Sequence, residues 1–258
     1  MQKQLLFCLS AAAVLVLSCW MFSQTSFAAS FTVDLGSGTA GTASETLEVL
    51  ILFGILAFLP SIVIMMTSFT RIIIVLSFMR NALGTQQSPP NQVLIGIALF
   101  LTLFIMSPVI QQIQTDAYTP YKEGVITQQE ALDLAGDPLK EFMIRHTKDK
   151  ELKLFLELSG QENRITAVEN GGLEALKELG FEVLIPAFMT SELTTAFQIG
   201  FYLFLPFLII DIVVSSTLMS MGMVMLPPSM IALPFKIMMF VLVDGWSLLF
   251  STLVQGFR

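Results

Sequence analysis

Apolar residues in this chain come in long blocks, and the polar residues between them mark where each block ends. Residues 47–68, 93–113, 199–218 and 230–254 are apolar almost throughout. Each approaches the ~20 residues that carry a helix across a bilayer. Pro60 and Pro206 fall inside two of these blocks, where a proline removes a backbone donor and kinks the helix. Between the first two blocks, Gly84, Pro89 and Pro90 are helix-stopping residues, so about 69–92 reads as a connection. The pattern predicts a first membrane hairpin over 47–113 and a second over 186–258. The fold class is all-α: a polytopic helical membrane protein of kinked hairpins.

The pattern changes over 114–185, where polar residues dominate and the apolar ones recur at helical spacing. Leu139, Phe142 and Met143 share one helix face, and Leu152, Phe155 and Leu156 share another. Thr127 with Glu130 has the spacing of a capping box, and Asp137-Pro138 reads as a helix start. This segment is expected to be a small helical unit outside the membrane. After Pro186 the chain turns helical again, but Ser191, Glu192, Thr194, Thr195 and Gln198 make its first turns too polar for lipid.

The N-terminus has its own pattern. Lys3 precedes an apolar stretch, and Ser26-Phe27-Ala28 places small residues at the −3 and −1 positions. This predicts a secretory signal over 1–28, cleaved after Ala28. Residues 29–46 are small and polar and read as a flexible mature N-terminus.

Composition agrees with the block pattern: 54% of residues are hydrophobic, 13% are charged, and the mean hydropathy is +0.76. Soluble domains carry about twice that charge fraction. Of the twenty acidic residues, fourteen lie between Asp116 and Glu182, as do eight of the thirteen basic ones. That mixed, mildly acidic surface gives no footprint for nucleic acid. Arg71 and Arg80 in the short 69–92 connection put that connection on the cytoplasmic side and the 114–185 segment outside. Cys8 and Cys19 both lie in the leader, so the mature chain would have no disulfide or thiol chemistry. With His146 as the lone histidine, a histidine metal site is not expected, nor is a cofactor. The residues assemble no catalytic constellation, and none is expected.

Chemistry concentrates in the last hairpin. Asp211 and Lys236 lie about twelve residues either side of a turn between Met223 and Val224, which would place them at similar depth. A lone charge there is expensive, so the two are expected to pair, within one subunit or between neighbours. Glu192 is a further intramembrane charge that needs a partner. Met219, Met221, Met223 and Met225 recur every second residue, with Gly222 among them and Pro227-Pro228 after them. That spacing suits a non-helical loop, here 219–228. Either these side chains fill the turn, or they form a deformable apolar constriction at a pore axis.

Several stretches together resemble one family. They are Arg71-Ile72-Ile73-Ile74-Val75, Arg80-Asn81-Ala82-Leu83-Gly84-Thr85, Pro89-Pro90-Asn91-Gln92-Val93, Phe104-Ile105-Met106-Ser107-Pro108, Ser191-Glu192-Leu193, Phe197-Gln198-Ile199-Gly200-Phe201, Pro206-Phe207-Leu208-Ile209-Ile210-Asp211 and Asp244-Gly245-Trp246. They resemble the FliP family of flagellar type III export-gate subunits, over nearly all of 47–257. The resemblance implies a bacterial inner-membrane protein of the flagellar basal body with a periplasm-facing portion. It implies a homo-pentamer that joins the Q and R gate subunits in a helical ring passing unfolded flagellar substrate proteins. It also implies contacts with membrane lipid, the A and B export-gate proteins and an O-type assembly factor. In that setting the four methionines would be a pore gasket, and apolar helices would face neighbouring subunits as well as lipid. Two other readings stay open: an ion channel or small-solute transporter subunit, and a structural scaffold of the export apparatus.

Overall fold

The structure, a computed structural model, describes residues 53–258 apart from 55–56, 59–60, 86, 162, 164, 166–167, 169–175, 224 and 258. The expected leader, the mature N-terminus and Pro60 lie outside the described residues. The described secondary structure is helical throughout. Its principal helices are α1 (Phe69–Leu83), α2 (Asn91–Ile113), α3 (Gln128–His146), α4 (Asp149–Leu158), α5 (Phe181–Ser220), α6 (Pro228–Leu242) and α7 (Gly245–Gln255). A π-helical turn (Gln114–Tyr118) and a single α-turn (Thr119–Lys122) extend α2 to a continuous 32-residue stretch. That stretch and the 40-residue α5 are long and apolar enough to cross a membrane, and α6 with α7 makes a third if the pair counts as one span. The chain is a helical membrane protein.

Local chemistry explains most of the boundaries, and several differ from the sequence pattern. α5 starts at Phe181 and continues through Pro186, so the helix does not restart at that proline. Residues 69–83, within the expected connection, form α1, because Ile72, Val75, Leu76, Met79 and Ala82 repeat at three- and four-residue intervals and are all fully buried. Gly84, at φ 77°, ends it. In α3 the capping box at Thr127 and Glu130 forms as read, but the helix starts there and continues through Pro138. Pro138 is buried in that helix, so Asp137-Pro138 is not a helix start. The fourth apolar block is not one helix: α6 and α7 meet at 62°, with Asp244 at the left-handed φ of 49°. Gly245 fits only because it has no side chain, since a Cβ there would approach the Phe240 ring to 2.2 Å.

Burial divides into two cores. The first joins Phe142, Met143 and Ile144 of α3 and Leu152 and Leu156 of α4 to Val183, Leu184, Ala187 and Phe188 at the start of α5. It therefore belongs to the polar, short-helix part of the chain. The second joins the buried face of α1 to Leu94 and Ala98 of α2, Ala196 and Phe207 of α5, Phe240 of α6 and Leu249 and Leu253 of α7. The rest of α2, α5 and α6 keeps large apolar side chains at the surface, among them Phe100, Phe104, Phe201, Ile209, Val241 and Leu242. Lipid or other protein surfaces are the environments in which such faces are stable.

Candidate functional site

Glu192 sits on α5 between the two cores, one turn after Phe188 and one before Ala196, and is fully buried. Its partner is Arg71 of α1, which is also buried. Arg71 Nε donates to Glu192 Oε2 at 2.7 Å, and its Nη2 donates to Glu192 Oε1. This two-point geometry is the strongest form of ion pair available to a guanidinium. Arg71 Nη1 also donates to the Gly256 carbonyl at 3.1 Å, and the guanidinium lies 3.8 Å from the centre of the Phe257 ring. Phe257 in turn stacks on Phe142 and meets the ring of His146. One arginine thus joins α1, α5, the end of α7 and the α3 core. Next to Glu192, buried Ser191 accepts the Lys148 N–H at 3.0 Å and donates to the His146 carbonyl at 3.3 Å, fixing the corner between α3 and α4. Ser191, Glu192 and Gln198 thus hold other segments, while Thr194 donates to the Thr190 carbonyl of its own helix.

His146 feels this cluster electrostatically. Burial pushes its imidazole down to about 4, and the positive charges of Arg71 and Arg145 push the same way.

A second polar anchor lies in the last hairpin. Lys236 Nζ donates to Asp211 Oδ2 at 2.6 Å, within one chain, and to the Ala82 carbonyl at 3.1 Å. Ala82 belongs to the last turn of α1, where carbonyls have no helical partner and a cation is favoured. Lys236 therefore ties α5 to α6 and also caps α1. A reversed pair would set a carboxylate against the Ala82 carbonyl, so charge reversal is not equivalent to the native arrangement. Asp211 Oδ1 is buried and has no hydrogen-bond partner among the described residues.

The methionines cluster at the tip of the same hairpin. Helix α5 runs on through Met219, and Gly222 at φ 74° ends the turn, so the irregular stretch begins at Met221 and is shorter than 219–228. Met219 and Met221 are each 66% exposed, Met223 46% and Met225 99%. Four flexible, apolar thioethers at one tip are thus left largely uncovered by the described residues. Pro206 lies within α5, which is helical on both sides of it.

A family model described as the FliP family matches residues 52–253, most of the chain and both polar anchors apart from Gly256 and Phe257. The chain belongs to the FliP family. Among its relatives, the Flagellar biosynthetic protein FliP of Bacillus subtilis (strain 168) is 52% identical over 214 residues, covering 83% of this chain and 93% of the relative. The Pectobacterium carotovorum protein of the same name is 52% identical over 219 residues, covering 84% and 81%. That of Aquifex aeolicus (strain VF5) is 43% identical over 249 residues, covering 96% and 99%.

Sequence reasoning singled out Asp211, Lys236 and Glu192, and the structure brings the first two together. It missed Arg71 as the partner of Glu192 and Ala82 as the second acceptor for Lys236. Arg71 was legible only as a loop charge, because nothing local records that residues 121 positions apart will meet.

Proposed function

We propose that this chain is a channel-forming subunit of the flagellar protein export gate, and that Met219, Met221, Met223 and Met225 form its deformable seal. Membership of a family whose relatives are named for flagellar biosynthesis supports the first part. The observation that carries the second is the exposure of all four thioethers at one hairpin tip. Apolar side chains left uncovered there call for an apolar partner. Copies of the same tip around an axis supply one, and methionine can close around nothing or reshape around a passing chain. The Lys236–Asp211–Ala82 anchor holds the base of that hairpin to α1, so the tip can deform while its stem stays fixed. In this reading the assembly is a homo-pentamer with Q and R gate subunits in the inner membrane, and the chain works without enzymatic chemistry.

Replacing the four methionines by alanine tests the seal. The expected outcome is a raised ion leak across the inner membrane of intact cells, with the assembly still formed. A resting ion current through the purified native assembly would favour an ion channel instead. Leak and export both unchanged would leave the loop as scaffold.

A further inference from the structure

The junction between α1 and α2 holds a cation that the described protein does not neutralise. Arg80, in the last turn of α1, directs Nη1 to the Asn91 side-chain oxygen at 2.6 Å and to the Pro89 carbonyl at 3.3 Å. Both acceptors are neutral. Among the described residues Nη2 has no acceptor, Nε is buried without one, and no carboxylate reaches the guanidinium. Beside it opens a polar hollow of about 430 Å³ lined by Arg80, Gln87, Pro90, Asn91 and Gln92. Its lining carries one positive charge and side-chain amides, with no acid.

The hollow stands where an apolar helix begins. α2 starts at Asn91, and three- and four-residue steps from Gln92 lead to Ile95, Gly96, Leu99 and Leu103 along one face. Ile95, Leu99 and Leu103 are exposed by 44%, 42% and 57%, and a side chain added at Gly96 would meet nothing within 4 Å. An uncompensated cation therefore heads an open apolar track on a membrane-spanning helix. We propose that this is a binding site for an anionic phospholipid, its phosphate held by Arg80 with Gln87 and Gln92 and an acyl chain lying along Ile95, Gly96 and Leu99. A phosphate oxygen can take the charge-assisted hydrogen bond that Nη2 leaves open, and charge complementarity selects a headgroup with no cation of its own, because a second cation beside Arg80 would be repelled. The apolar track selects a lipid over a free anion.

Native mass spectrometry of the full-length chain in detergent tests this, with phosphatidylglycerol, phosphatidylcholine and inorganic phosphate as separate probes. Phosphatidylglycerol should be retained at concentrations roughly tenfold lower than phosphatidylcholine, whose choline cation would stand beside the uncompensated charge of Arg80. Arg80→Gln should remove that preference. So should Gln92→Glu, which leaves the Arg80 contacts to Pro89 and Asn91 in place but puts a carboxylate in the hollow. Gln111→Glu, near the other end of α2, should retain it. Equal retention of the two lipids overturns the site. So does a Gln92→Glu variant of unchanged helix content that still prefers phosphatidylglycerol. Inorganic phosphate held as tightly as phosphatidylglycerol would overturn the lipid assignment, since the track would then contribute nothing.

Discussion

At the scale of single residues, the decisive groups are charges placed where water is scarce. Glu192→Gln would leave Arg71 buried without its counter-charge, and removal of one partner from such a pair costs about 3–5 kcal/mol. The expected result is a large fall in thermal stability in detergent, most of it regained when Arg71→Met and Glu192→Leu are combined. A double variant no more stable than Glu192→Gln would show that Arg71 is not the reason Glu192 is needed. His146 makes a pH prediction at the same cluster. Its pKa is about 4 in the folded chain and near 6.5 otherwise, so the unfolded chain binds more protons between those values. Its contribution to stability is present above about pH 6.5 and is lost as the pH falls toward about 4. His146→Gln should flatten the fall in melting temperature across that window, and an unchanged profile would assign the effect to other groups.

At the scale of elements, α1 is the member that pattern reading undervalued. Its fifteen residues are too few for a span, yet it packs along α5 and supplies the fully buried core of the membrane part. The two helices approach closely at Gly200, where an added Cβ would stand 2.6 Å from two atoms at the base of the Phe78 ring. Phe78 cannot swing away freely, because its ring also meets Phe197 edge-on at 5.2 Å. Gly200→Ala should therefore destabilise the α1–α5 pair by about 1–3 kcal/mol, the usual effect of overpacking. Hydrogen exchange would locate it, as faster exchange along α1 with α3 and α4 unaffected. Uniform loss of protection would mean that the two cores unfold as one unit.

At the scale of the whole molecule, orientation is the open quantity that follows from the topology. The basic residues near the first two blocks support the proposal that the hairpin tip at Met221 faces the cytoplasm and that α3 and α4 lie outside. Arg71 argues this less strongly than its position in sequence implies, because its charge is buried against Glu192. Arg80 remains. Single cysteines at Leu132 and at Met225, both exposed, should then label from opposite faces when Cys8 and Cys19 are absent. A membrane-impermeant maleimide should reach Leu132→Cys in intact cells and Met225→Cys only after the cells are opened. The reverse pattern would invert the proposed topology.

The sequence alone determined the class of molecule, because long apolar blocks are stable as helices in lipid whatever their neighbours. It also marked Asp211, Lys236 and Glu192, since a buried charge needs a partner in any fold. The capping box at Thr127 was legible too, being a contact between residues three apart. Tertiary structure decided what those local rules leave open. Which cation meets Glu192 and why Lys236 also serves Ala82 depend on which helices pack together. Those contacts join residues 121 and 154 positions apart, a distance over which periodicity and propensity carry no information.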